Sequence, residues 1–215
     1  MEEPQKLVIR MKILVVAATR AEILPSLPFL EERGIPYLIT GVGMVATTYA
    51  LTKRLLEDAF DMVVQVGIGG ILGRSARLGE VYQISADEIF GLGADNNGLF
   101  IPIEELGFGK RIFKERLPDG ILFPHTERAQ GITVNNVHGS AGNIAQLQQK
   151  YRNLLIESME GAAVFFVAEQ VQIYCLQFRA ISNYIEPRNR DTWEISLAIK
   201  NLNIFLKKIV DRLTA

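Results

Sequence analysis

The chain is poor in several things at once. It has a single cysteine, Cys175, so no intramolecular disulfide can staple it, and that usage suits a reducing compartment. It has no excess of either charge: 23 Lys and Arg stand against 24 Asp and Glu, a formal net charge of −1. No positive field is left to grip a polyphosphate backbone, which argues against a nucleic-acid partner. Its two histidines, His125 and His138, stand apart without ligand-like spacing, so no metal site is expected. No run approaches the ~18 uncharged apolar residues that would span a bilayer. Residues 1–10 contain two Glu and a Pro and lack an apolar signal core; they read as an N-terminal extension. The expectation is a soluble, cytoplasmic protein without a membrane partner.

What is present is a globular composition, 48% hydrophobic over 215 residues. A chain of this length buries roughly 70–75% of its unfolded surface and needs no staple. From Met11 onward, apolar runs alternate with helical patterns. Lys12–Ala18 reads as a strand buried on both faces, followed by a helix over about 21–32 closed by Gly34. Tyr37–Thr40 is a short strand, 44–60 a helix, and Met62–Val66 a third buried strand ending in Gly67-Ile68-Gly69-Gly70. Further strands are expected at 79–84, 130–137, 154–158 and 176–181, and helices at 141–151, 161–170 and 192–213, with residues 91–128 mostly loop. No repeat or linker interrupts the pattern. It predicts one domain, 11–215, built as an α/β three-layer αβα sandwich around a mixed or parallel sheet.

Gly41-Val42-Gly43-Met44-Val45-Ala46 matches the G-x-G-x-x-A turn of dinucleotide folds. The expected acidic residue some 20 positions on, at the end of the next strand, is missing, because that strand ends at Val66-Gly67. The glycines fit better as two tight turns, at Gly43 and at Gly67-Ile68-Gly69. Such turns bring backbone N–H groups to one crevice at the carboxyl ends of neighbouring strands.

Three segments place polar side chains just beyond buried strands: Ala17-Ala18-Thr19-Arg20-Ala21-Glu22, Glu157-Ser158-Met159-Glu160-Gly161-Ala162-Ala163, and Ala180-Ile181-Ser182-Asn183. Each has a bland reading: Glu22 as a solvated helix residue, Glu160 as a first-turn residue favoured by the helix dipole, Asn183 as a turn residue. Together, in this order and at these gaps, they resemble the purine nucleosidase and phosphorylase superfamily, which implies a nucleoside phosphorylase-like fold. The methylthioadenosine/S-adenosylhomocysteine nucleosidases share the early glutamate, the Gly-rich turn and the Met-Glu pair. The stretch Ile181-Ser-Asn-Tyr-Ile-Glu-Pro-Arg-Asn-Arg-Asp-Thr-Trp193 is similar to the signature of futalosine hydrolases, which act in a route to menaquinone.

That resemblance implies hydrolysis of an N-ribosidic bond through an oxocarbenium-like sugar. It makes Glu22 the base that activates water, and Glu160 the acceptor for the ribose hydroxyls, with Met159 packed on the ribose. Ser158 and Ser182 count among the substrate-binding residues. Asn183 stands where the adenine-specific nucleosidases keep an aspartate. An amide cannot be a general acid, but its NH₂ can donate to a 6-oxo oxygen or N7, which suits hypoxanthine better than adenine. Val137 belongs to the segment that covers the purine. Arg188 and Arg190 are candidates for a remote substrate carboxylate, with Trp193 as an apolar wall. Two alternatives stay open: an adenine-releasing nucleosidase, and a phosphorylase with Arg20 and Arg74 cradling phosphate. Relatives form homo-oligomers, and the same is expected here.

Overall fold

A computed structural model describes residues 11–119, 123, 126–152 and 154–214. The N-terminal extension 1–10 and His125 lie outside the described residues. In chain order the elements are β1 (Ile13–Ala17), α1 (Arg20–Ile23), α2 (Leu27–Glu32), β2 (Tyr37–Ile39), α3 (Met44–Glu57), β3 (Met62–Ile71), β4 (Val81–Ile89), β5 (Gly93–Asn96), β6 (Leu99–Pro102), β7 (Ile112–Lys114), β8 (Arg128–Thr133), α4 (Ala141–Lys150), β9 (Leu155–Ser158), α5 (Gly161–Gln170), β10 (Tyr174–Tyr184) and α6 (Ile195–Thr214). A 3₁₀ turn at Leu24–Ser26 joins α1 to α2, so the helix expected at 21–32 is broken. Pro25 and Pro28 account for the break, since neither offers an N–H to a continuous ladder.

The sheet is mixed and built around β3. β1 lies parallel to the first half of β3 (Ile13↔Met62 to Val16↔Gln65), and β10 lies parallel along its whole length. At its far end β3 meets β9 antiparallel, with Gly70 opposite Glu157. The path β10–β4–β8–β9 returns to β3, so this half of the sheet closes on itself, while β1 and β2 extend the other side. The pleat assigns each face. Ile13, Val15 and Ala17 join Leu202, Leu206 and Val210 of α6 in one apolar cluster; Leu14 and Val16 join Leu51 of α3 and Phe165 of α5 in another. α6 is amphipathic and buries one stripe, whereas α5 is buried at seven of its ten positions. α4 covers a third cluster with Ile132, Leu155 and Ile185. These are the helix, sheet and helix layers the sequence predicts.

The largest departure from expectation is at Gly67–Gly70. The residues continue β3 as strand instead of forming a turn. Glycine is needed there because side chains and backbone converge on it. A Cβ at Gly67 would touch the Arg179 guanidinium and Glu22 Oε1, and one at Gly69 would come within 2.8 Å of the Glu157 carbonyl. One at Gly70 would sit 3.0 Å from Asn183 Nδ2. β4 and β10 likewise run past their expected ends, and the expected loop region contains the β5–β6 hairpin and β7.

Between this sheet and the N-terminal end of α5 lies a buried polar chain. Thr133 Oγ1 donates to Asp87 Oδ1 at 2.8 Å and accepts from the Ala162 N–H at 2.7 Å. Gln177 Nε2 donates to Asp87 Oδ2 at 3.1 Å, and Arg179 Nε donates to Gln177 Oε1 at 2.9 Å. Burial pushes the Asp87 carboxyl up to about 6, against the pull of its Thr133 and Gln177 hydrogen bonds and the Arg179 charge. Between its unfolded value near 3.8 and about 6, the folded protein keeps a proton the unfolded chain has lost. Asp87 therefore lowers stability as pH rises through that window. Relative to wild type, Asp87→Asn should gain on the order of 2–3 kcal/mol between pH 4 and pH 7. Urea unfolding at both pH values checks this; an unchanged difference would mean that Asp87 titrates as an ordinary carboxyl.

Candidate active site

A cleft of about 330 Å³ opens at the carboxyl ends of β1, β3, β9 and β10. Glu22 sits at its inner end on α1, buried to 7% exposure. Its Oε2 accepts from the Thr19 N–H and hydroxyl, both at 2.9 Å, and its Oε1 accepts from the Ile68 N–H at 3.1 Å. These bonds fix the carboxylate toward the cleft. A hydrogen bond from Asn203 of α6 to the Glu22 carbonyl (2.8 Å) fixes the backbone behind it.

Glu160 stands at the N-cap of α5 but does not cap it. Its Oε1 accepts from the Gly43 N–H at 3.0 Å, and its Oε2 lies 3.7 Å from Arg179 Nη1. The Gly41-x-Gly43 turn thus presents its N–H to a protein carboxylate. Both glycines have positive φ, +85° and +93°, and a Cβ on Gly41 would press on Ala46 at 3.3 Å.

Arg179 is a buried charge beside the site that the sequence reading does not single out. Its side chain is almost fully buried on β10, its Nη1 lies 3.7 Å from Glu160, and among the described residues its Nη2 has no hydrogen-bond partner. The available signal was an arginine inside an apolar strand, which a fold tolerates only when the charge is paired. Glu157 and His138 are a second missed pair. The Glu157 carboxylate receives the His138 backbone N–H at 3.1 Å and contacts ring Nδ1. Burial pushes the Glu157 carboxyl above its usual range, and the His138 contacts pull against that shift.

At the other end Asn183 lines the cleft, with Oδ1 2.8 Å from the Ser182 hydroxyl and Nδ2 3.0 Å from the Tyr184 carbonyl. Ile68, Gly69, Val137, Ser158, Met159, Ser182, Arg188 and Trp193 line the same cleft. Ser158 Oγ also accepts from the Gly161 N–H at 3.3 Å, which anchors the start of α5. Three expected residues do not line it. Gly43 acts through Glu160, Gly67 forms the floor beneath Glu22 and Arg179, and Arg190 is exposed, its guanidinium 5.9 Å from the Trp193 ring. Arg20 is exposed and off the lining. Arg74 is too: it pairs with Glu186 at 2.7 Å and covers Tyr184. Among the described residues no group of three His, Cys, Asp or Glu converges as a metal site, and no helix is long and apolar enough to cross a membrane.

Comparison with known proteins follows the same lines. The family model of the Phosphorylase superfamily matches residues 30–215. The curated futalosine hydrolase of Streptomyces coelicolor is 32% identical over 187 residues, covering 82% of this chain and 78% of that protein. The futalosine hydrolase of Thermus thermophilus is 24% identical, covering 92% and 94%. In three dimensions the native futalosine hydrolase of Helicobacter pylori aligns over 95% of this chain and 99% of its own, with TM-score 0.75 at 17% identity. The 5′-methylthioadenosine/S-adenosylhomocysteine nucleosidase of the same organism, solved with a butyl-thio-DADMe-Immucillin-A, covers the same shares with TM-score 0.77. These two likenesses show the fold. The match across most of the sequence shows more: the chain belongs to the Phosphorylase superfamily and, within it, to the futalosine hydrolases.

Proposed function

We propose that this chain hydrolyses the N-ribosidic bond of futalosine and releases hypoxanthine, without a cofactor. One observation carries the reading: Glu22 and Glu160 share one cleft, and the amide of Asn183 stands at the same cleft in place of a proton-donating carboxyl. Ionised Glu22, already aimed by three donors, takes a proton from water as the water attacks the anomeric carbon. Glu160 accepts from the ribose hydroxyls, and its negative charge favours the sugar cation that develops as the bond to the purine breaks. The purine leaves with the bonding electron pair as an anion, which Asn183 steadies by donating a hydrogen bond; it then takes a proton from solvent, and Glu22 returns its proton to solvent. Met159 and Val137 supply apolar contact for ribose and base. Arg188 takes the carboxylate of the remote 5′ chain, with Trp193, 5.5 Å from its guanidinium, as the apolar wall.

Hydrolysis is favoured over phosphorolysis because, among the described residues, neither Arg20 nor Arg74 lines the cleft, and Arg74 is paired with Glu186. An adenine-releasing nucleosidase is the second reading. The fold likeness supports it, and Asn183 speaks against it. The unit that carries the activity is residues 11–215 taken as one domain, supported by a main sheet whose strands run from Ile13 to Tyr184. The small-molecule substrate, the balanced charge and the buried free Cys175 suit the cytoplasm. A homo-oligomer is supported by α3, which exposes Val45 (85%), Tyr49 (71%) and Leu56 (80%) along one side and continues to Val42 at the cleft. A second copy of the chain is the partner that face fits.

Product analysis on futalosine, with and without phosphate, should show hypoxanthine released at a phosphate-independent rate. Release of adenine from methylthioadenosine with none of hypoxanthine from futalosine would overturn the reading. Glu22→Gln should lower kcat by about 10²–10⁴-fold while KM changes little. Introducing charge on the exposed side of α3, as Tyr49→Glu with Leu56→Glu, should convert the oligomer to monomers in sedimentation velocity; an unchanged mass would remove α3 from the interface.

A further inference from the structure

Among the titratable groups lining the cleft, the reaction as described leaves one buried pair unused: Glu157 and His138. Its position is informative. β9, β3 and β10 run side by side here, and Gly70 on β3 is paired with Glu157 on one side and with Asn183 on the other. Adjacent strands are about 4.8 Å apart, so the two residues stand about 10 Å apart at their Cα atoms. The residue between them has no side chain, and a Cβ there would come within 3.0 Å of Asn183 Nδ2. Two polar side chains thus flank a bare stretch of strand, leaving room for a flat heterocycle between them.

The neighbourhood of Glu157 gives no structural reason for a charge. Leu155, two residues earlier, packs into an apolar cluster with Ile132, Val134 and Ile185. A carboxylate placed beside such a cluster loses hydration, and a structural role would recover it through partners on several elements. Among the described residues, all its hydrogen bonds come from one residue. The His138 backbone N–H reaches Oε1 at 3.1 Å and Oε2 at 3.3 Å, and the ring contacts Oε2. Phe90 holds that ring edge-on, with centroids 5.0 Å apart. An ionised carboxylate has about four lone-pair sites. Oε1 serves a single shared donor, so it keeps acceptor capacity, and the residue lines the cleft.

We propose that Glu157 is a specificity-determining residue that accepts a hydrogen bond from N1–H of a 6-oxopurine while Asn183 donates to the oxygen at C6. This deepens the reading above and rests on its assignment of the leaving base. The two chemistries are complementary. A 6-oxopurine presents an acceptor at C6 beside a donor at N1. A 6-aminopurine presents a donor at C6 beside an acceptor at N1, which is the inverse pattern. Against an amide donor and a carboxylate acceptor, adenine sets like against like at both points. A site built around hydrogen bonds rejects the ligand that leaves its buried groups unpaired. The His138 backbone N–H donates to both oxygens of that carboxylate and holds it in place.

Free-base binding measured by calorimetry tests this apart from turnover, with hypoxanthine and adenine as the probes. The wild-type protein should bind hypoxanthine at least about 100-fold more tightly than adenine, and Glu157→Gln, whose amide offers either a donor or an acceptor, should narrow the ratio to within about tenfold. In the unaltered protein, ¹⁵N-labelled hypoxanthine should show a slowly exchanging N1 proton shifted downfield, which needs no variant to fold. A freely exchanging N1 proton, or a preference for hypoxanthine that survives Glu157→Gln in a folded variant, would overturn the proposal. If hypoxanthine binds with these signatures but futalosine is not hydrolysed, the assigned function fails and this inference stands. If futalosine is hydrolysed without them, the reverse holds.

Discussion

The guanidinium of Arg179 is the buried charge around which the catalytic end of this molecule is organised. It is held on β10 with almost no exposure. A cation in that position requires an anion nearby, and Glu160 Oε2 approaches it from α5 to 3.7 Å. Behind it the requirement continues through Gln177 to Asp87 and Thr133, each satisfying the next. Two carboxylates are thereby held at one cleft, one of them beside a buried guanidinium.

The glycines of β3 follow from that arrangement. Gly67 lies under Arg179 and Glu22, Gly69 under the β9 backbone, and Gly70 under Asn183. A central strand normally avoids glycine, because it packs no side chain and costs entropy. Here the missing side chains are what allow functional groups from α1, β9 and β10 to meet over one strand. The closed half of the sheet works to the same end. β3 exchanges β1 for β9 along its length, and this brings Glu157 and Asn183 to either side of Gly70.

Much of the fold was legible in order. The buried runs at 13–17 and 62–66 and the helix at 161–170 are local signals, set by apolar periodicity and by small residues at turns; of the three polar segments only the first lies beyond its strand, since Glu157-Ser158 and Ser182-Asn183 fall inside β9 and β10. The reading failed where the reason for a residue lies elsewhere in the chain. Gly67–Gly70 look like a turn because glycine usually marks one; they are strand because Arg179, Glu157 and Asn183 crowd them. Arg188 and Arg190 look equivalent in sequence, yet the two lie differently, and only Arg188 lines the cleft.

By itself, then, the sequence determined the α/β alternation, the family and the candidate set of Glu22, Glu160 and Asn183, because strand patterning and side-chain chemistry are local properties. Only the tertiary structure decided which groups stand beside them. Arg179 beneath the carboxylates and Glu157 across Gly70 from Asn183 are neighbours through strand pairing and not through spacing in the chain. Charge pairing and donor–acceptor matching act over a few ångströms of space, whatever the distance in sequence.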